Sequence, residues 1–188
     1  MRSMSVTNYK SRIKWITQSA VFIAVLMVAQ AFTAQLGNRI ITGSLVNLVL
    51  IISVMTCGLS VGISVSVVSP VLANLFGIGS GSFWTIIPFI IIGNVTLVFI
   101  WHYIGCVKRF NRKASYISSM VLAAVAKFAV LYIGIVRIAV PFMMNLPDTQ
   151  TAIISNAFSL PQLFTAALGG TTAAVILPLL ERAVPNRV

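Results

Sequence analysis

The sequence predicts an all-α integral membrane protein of six transmembrane helices with both termini on the cytoplasmic side. Three observations lead there. The chain is strongly apolar, with 59% hydrophobic residues and a mean hydropathy of +1.02. Its apolar residues fall in runs long enough to cross a bilayer. Its charge is one-sided, 13 Lys and Arg against 2 Asp and Glu, and most of it is clustered. Arg2, Lys10, Arg12 and Lys14 precede the first run; Lys108, Arg109, Arg112 and Lys113 share one interruption; Arg182 and Arg187 close the chain. Basic clusters beside apolar spans orient a polytopic protein with those clusters inside. They flank spans rather than forming a face, so a net charge of +11 points to anionic lipid headgroups as counter-charge and not to nucleic acid.

Taken in order, the apolar segments are Trp15–Leu36, Ile40–Cys57, Leu59–Phe76, Phe83–Val107, Ser115–Ile138 and Pro161–Leu180. The first, fourth, fifth and sixth reach roughly 20 residues, enough for ~30 Å of hydrocarbon at ~1.5 Å per residue. The second and third are shorter and divided by little more than Gly58. Parity decides that boundary. A single pass over Ile40–Phe76 would put the Lys108–Lys113 cluster opposite the N-terminal one, whereas a hairpin puts both inside. A two-pass hairpin is therefore expected, with a re-entrant pair as the weaker option. The first segment is too long for a signal-peptide core and lacks a clear small-residue cleavage site. One transmembrane domain is expected over residues 1–188.

Several chemistries lack their residues. There is no GxxxxGK[ST] loop, GxSxG, HExxH or pair of intramembrane carboxylates, so neither nucleotide hydrolysis nor the common membrane hydrolases fit. Cys57 and Cys106 fall at predicted cytoplasmic ends without metal-ligand spacing, which favours two reduced, small apolar residues. His102 is the only histidine and reads as a packing or headgroup residue near the inner end of span four. No enzyme, cofactor or metal is expected.

Small residues recur at helical spacing: Ala20 and Ala24 in span one, Gly58, Gly62 and Ser66 in span three, and Ala166, Gly170 and Ala174 beside Gly169 and Ala173 in span six. Such stripes let backbones approach closely in lipid. Internal packing is expected in spans three and six. Span one follows a basic tail and can present Ala20 and Ala24 to another subunit.

Polar residues gather toward the expected outer face. The first outer loop holds Arg39, the second is Gly-Ser rich and followed by Trp84, and the third runs from Arg137 past Asp148 and Asn156 to Gln162. The third is long for a compact membrane protein, and long loops without obvious structure often serve as lids or binding loops. Lys127 lies roughly 18 Å up span five, near the bilayer midplane, where an ammonium costs at least ~2.5 kcal/mol unless it finds water or a partner. Asp148 and Glu181 are the only acids: Glu181 is too far away, and Asp148 would have to fold deeply inward. Lys127 must therefore meet carbonyls, a wet cavity or a ligand anion, or else snorkel. Asn94 lies at comparable depth. Arg137 stands ~15 Å above Lys127 if span five is ordinary helix, so the two bracket a vitamin-sized molecule. Trp84, Tyr132 and Phe164 offer aromatic faces.

The sequence resembles the substrate-specific (S) components of energy-coupling factor (ECF) vitamin importers over nearly its whole length. The resemblance is carried by Ala20-Val-Phe-Ile-Ala24, Thr42-Gly-Ser-Leu-Val-Asn-Leu48, Ser69-Pro-Val-Leu-Ala73, Ile92-Gly-Asn94, and Pro161-Gln-Leu163 with Gly169-Gly170. It implies an S-component-like helical bundle in the plasma membrane of a bacterium that binds a water-soluble vitamin or related micronutrient. It also implies partners: a transmembrane scaffold subunit driven by two ATP-binding cassette ATPases. Ala20 and Ala24 match the family's docking motif on the first helix. Arg39, Asn47, Trp84, Asn94, Lys127, Tyr132, Arg137, Asn156 and Gln162 are the candidate substrate contacts by position. The cationic outer half favours an anionic or neutral ligand. Two other classes stay open: a membrane scaffold that binds no small molecule, and a stand-alone secondary transporter. The second would need a proton relay that these spans do not carry.

Overall fold

The computed structural model describes residues 2–77, 84–105 and 111–183, all helices and short connections. Helix α1 runs Arg2–Ala34, α2 Arg39–Cys57 and α3 Leu59–Leu75. Helix α4, Trp84–Gly105, opens with a 3-10 turn and closes in a π segment; α5, Arg112–Met143, carries a π segment over Tyr132–Ala139. Helix α6 is Asp148–Ala157 and α7 is Leu160–Ala183. Among the described residues, five helical stretches are long and apolar enough to cross a membrane. The 17 residues of α3 sit at the short limit for a span. The basic residues Lys10, Arg12 and Lys14 belong to α1 itself, which begins well before the expected Trp15.

The expected hairpin is present. Gly58 has φ +90 and leaves open space where a Cβ would stand, so the chain breaks helix and re-enters it at one residue suited to positive φ. Gly62 then seats α3 against its neighbours: a Cβ there would come within 2.8 Å of both Val54 and Val98. The opposite ends of α2 and α3 meet again at one cavity, so the two helices run antiparallel. At the cavity end, Asn38 starts α2 by accepting from the Ile40 and Ile41 amides through Oδ1, satisfying donors the helix leaves unpaired.

One core runs through the middle of the bundle, with Leu26, Leu50, Ile51, Val65, Leu97 and Trp101 each at most 1% exposed. A second cluster lies at the cavity end, where Ile154 and Phe158 pack with Leu131, Ile135 and Ala139. It corrects the third outer loop. That segment is helix for most of its length, because α5 continues to Met143 and α6 follows after four residues. Ile154 on the inward side of α6 and Phe158 just past its end fasten it over the bundle. Asp148, exposed at the start of α6, complements the dipole of that short helix rather than turning inward.

The small-residue stripes divide as expected. Gly62, Ser66, Gly169, Gly170 and Ala173 are buried between helices, whereas Ala20 and Ala24 are exposed on α1 beside Val21, Val25 and Val28.

Candidate functional site

At the end of the bundle away from the Gly58 turn, α1 to α7 surround a cavity of about 700 Å³. Its polar floor is built from close helix contacts. Gly93 in α4 faces Leu131, a Cβ there falling 3.0 Å from that side chain, so α4 approaches α5 closely and the next residue, Asn94, reaches Lys127. Gly169 in α7 lies against α2, where a Cβ would stand 2.7 Å from Asn47 Cβ and from the Ser44 carbonyl oxygen. That contact brings Thr165, one turn along α7, beside Asn47.

Lys127, only 4% exposed, donates from Nζ to Asn47 Oδ1 at 2.5 Å and to Asn94 Oδ1 at 2.7 Å. An ammonium offers donors alone, so both amides must turn their oxygens toward it. Asn47 then has its NH₂ free to donate to Thr165 Oγ1 at 3.5 Å, and that hydroxyl donates to the Gln162 carbonyl at 3.1 Å. Three helices are thereby tied to one buried cation. Two of the three ammonium protons are used within the protein, and no carboxylate lines the cavity among the described residues. Of the fates open to Lys127 in sequence, amide carbonyls and a cavity are both realised, and snorkelling is not.

Of the nine candidate contacts, Arg39, Asn47, Asn94, Lys127, Asn156 and Gln162 line this cavity. Trp84, Tyr132 and Arg137 do not. Trp84 is 56% exposed. Arg137 is exposed and places its guanidinium carbon 5.5 Å from the centre of the Tyr132 ring, which stacks in turn on Phe128. The expected pairing of Arg137 with Lys127 across a ligand fails because Tyr132–Ala139 is π-helical. Each π turn takes in an extra residue, which rotates Arg137 off the face that Lys127 occupies. Phe164, 58% exposed, lies outside the cavity as well.

The structure adds residues that sequence reasoning passed over. Gln30 of α1 and Asn74 of α3 line the wall, and their Oε1 and Nδ2 atoms are buried without a protein partner. Thr33, Asn38, Thr42, Ser69 and Thr165 add to the polar lining. Asn74, the one amide of span three, carried the same signal that singled out Asn94, whereas Gln30 shares span one with Gln18 and Gln35 and did not stand out.

His102 sits in the α4 π segment with its ring edge on Tyr103 and its Nδ1 buried without a partner. Cys57 is a free thiol at the Gly58 turn, and Cys106 lies outside the described residues. Among the described residues, no group of His, Cys, Asp and Glu is arranged to hold a metal.

Comparison with curated proteins finds no match, and neither does comparison with solved structures. A family model does match: the ECF transporter, substrate-specific component, over residues 14–181. The match covers every described residue that lines the cavity. Members of this family are non-enzymatic binding subunits that associate with an ECF energising module. A helical bundle with a cationic cavity that no described carboxylate lines fits that role, and by the extent of the match the chain belongs to the ECF transporter substrate-specific components, as a multi-pass membrane protein.

Proposed function

We propose that this subunit captures a water-soluble vitamin or related micronutrient, anionic or neutral, in the Lys127 cavity. The cavity opens to the cell exterior, and the single transmembrane domain of residues 1–188 has both ends in the cytoplasm. The observation that carries the reading is the unspent donor of Lys127. A buried ammonium braced by two neutral amides, on a wall without a described acid, is complementary to a ligand anion or a strong acceptor. The volume of about 700 Å³ falls within the ordinary range for small-molecule sites. Asn47, Asn94, Arg39, Asn156 and Gln162 are the further contacts, with α6 as the cover. A cationic ligand such as thiamine is disfavoured by the same charge.

Mass spectrometry of small molecules released from the purified subunit tests this directly. A carboxylate-bearing or neutral micronutrient is expected in near-stoichiometric amount, with a thermal shift on adding it back. Recovery of nothing, together with no shift across a vitamin panel, would instead support a scaffold without ligand.

Delivery proceeds by docking on a transmembrane scaffold subunit driven by two ATP-binding cassette ATPases, with Ala20 and Ala24 at the contact. Both are exposed on α1, and a small stripe on an open helix face suits close backbone approach by a partner helix. Ala20→Leu or Ala24→Leu is expected to abolish co-purification with the energising module while leaving ligand affinity within twofold. A variant that still co-purifies in full would remove this face from the docking surface.

A further inference from the structure

The floor of the ligand cavity is polarised in hydrogen bonding as well as in charge. Lys127 holds the side-chain oxygens of both Asn47 and Asn94, and an amide whose oxygen is turned one way presents its NH₂ the other. Asn47 uses that group on Thr165. Asn94 has no acceptor for its own among the described residues, and Asn94 and Lys127 both line the cavity. The floor therefore offers a ligand N–H groups from two neighbouring residues, the NH₂ of Asn94 and the remaining proton of the Lys127 ammonium.

The charge on that floor is single and unmatched. Lys127 is the one buried cation among the described residues, and the chain has two acids in all. Asp148 is exposed at the start of α6 and does not line the cavity. Glu181 stands ~24 Å along α7 from Thr165, at the opposite end of that helix. Ile90 and Leu131 lie one helical turn nearer the mouth than Asn94 and Lys127, and both line the cavity. This apolar collar keeps water from a group bonded at the floor, so a mismatched donor or charge there costs more than at a surface.

We infer that the floor is a carboxylate clamp: the ligand is a monocarboxylate on an apolar stem, buried acid end first, with one oxygen on the Lys127 ammonium and the other on the Asn94 NH₂. The inference rests on the reading of this cavity as a ligand site and narrows it. A carboxylate accepts at both oxygens and donates at neither, which suits a floor of donors. A primary amide in its place sets its own NH₂ against one of those donors and brings no charge. A phosphate monoester brings close to two negative charges to a single cation, and the excess is left buried and unpaired. Asn94 then determines specificity: Lys127 orients its amide, and the amide selects acid over amide.

Benzoate, benzamide and phenyl phosphate place the three groups on one apolar ring and serve as probes. Thermal unfolding and isothermal titration of the full chain, in detergent and stripped of ligand, are the readouts. Benzoate is expected to stabilise the subunit, with benzamide and phenyl phosphate binding roughly tenfold or more weakly, the loss of one charged hydrogen bond. Asn94→Asp keeps the size of the side chain and gives Lys127 an acid of its own. This variant should unfold at no lower temperature than the wild type, lose its response to benzoate and bind benzamide at least as well, because an aspartate oxygen accepts from the amide. The small molecule released from the wild-type chain should carry a carboxylate by mass spectrometry. Benzoate stabilising no more than benzamide, silence toward both included, would overturn the clamp. So would an Asn94→Asp subunit that still prefers benzoate, or release of a neutral micronutrient or a phosphate ester. Those results leave small-molecule capture standing; it falls on a separate result, in which nothing is released and no vitamin shifts unfolding.

Discussion

Lys127→Met is expected to weaken binding of an anionic ligand by about 1.5–3 kcal/mol, a rise in Kd from about tenfold to more than a hundredfold. The residue contributes an ammonium whose third donor has no protein partner among the described residues, at the floor of a cavity without a described acid. Methionine keeps most of the length and bulk of the side chain, so the floor stays filled and the loss reports chiefly on the ammonium. Isothermal titration with the co-eluting ligand measures it, and a ligand lacking an anionic group should lose less. Unchanged affinity for an anionic ligand would reduce Lys127 to a structural brace between α2 and α4.

The second large effect is on folding. Asn94→Leu removes one of the two oxygens that solvate Lys127 and leaves a charge in an interior position with a single partner. The expected cost is about 2–3 kcal/mol, the penalty for leaving a buried polar or charged group short of a partner. Urea unfolding in detergent micelles, or thermal unfolding under the same conditions, gives the value. The double variant Asn94→Leu/Lys127→Met is expected to recover most of the loss, because no ammonium then remains to be satisfied. Simple additivity of the two substitutions would show that the bond between Asn94 and Lys127 carries no coupling. Together the two experiments separate what Lys127 contributes to the ligand from what its neighbours contribute to Lys127.

The Ala20 and Ala24 variants probe a different surface, since those residues are exposed on α1 and do not line the cavity. The two regions are therefore separable by mutation: a ligand floor on α2, α4 and α5, and an open stripe on α1. A substitution that disturbs one is expected to leave the other intact, as sites far apart without shared partners usually behave.

Much of this protein is written in local patterns. Runs of apolar residues identify the spans, because a helix in lipid must satisfy its backbone within itself and present an apolar surface around it. Gly58 marks the hairpin, since positive φ at a helix break suits glycine. Lys127 announces itself because a charge at that depth needs a partner and no acid of the chain is placed to supply one. Asn94 does so for a milder form of the same reason.

What the sequence by itself determined, then, was the membrane class, the order of the spans and the presence of an unsatisfied cation at their centre. Only the tertiary structure decided what surrounds it. The meeting of Asn47 and Asn94 on Lys127 depends on how α2 and α4 are rotated about their axes, and that rotation is set by close contacts at Gly93 and Gly169 with residues distant in sequence. The exclusion of Arg137 depends on a π segment, which shifts the phase of the residues along it, whereas Tyr132, five residues past Lys127, faces away from it in ordinary helix already. The outer loop became the helix Asp148–Ala157 because Ile154 and Phe158 find apolar partners on α5. Periodicity along one chain shows which residues share a face; which faces meet is fixed by packing between helices, and that is where the site is made.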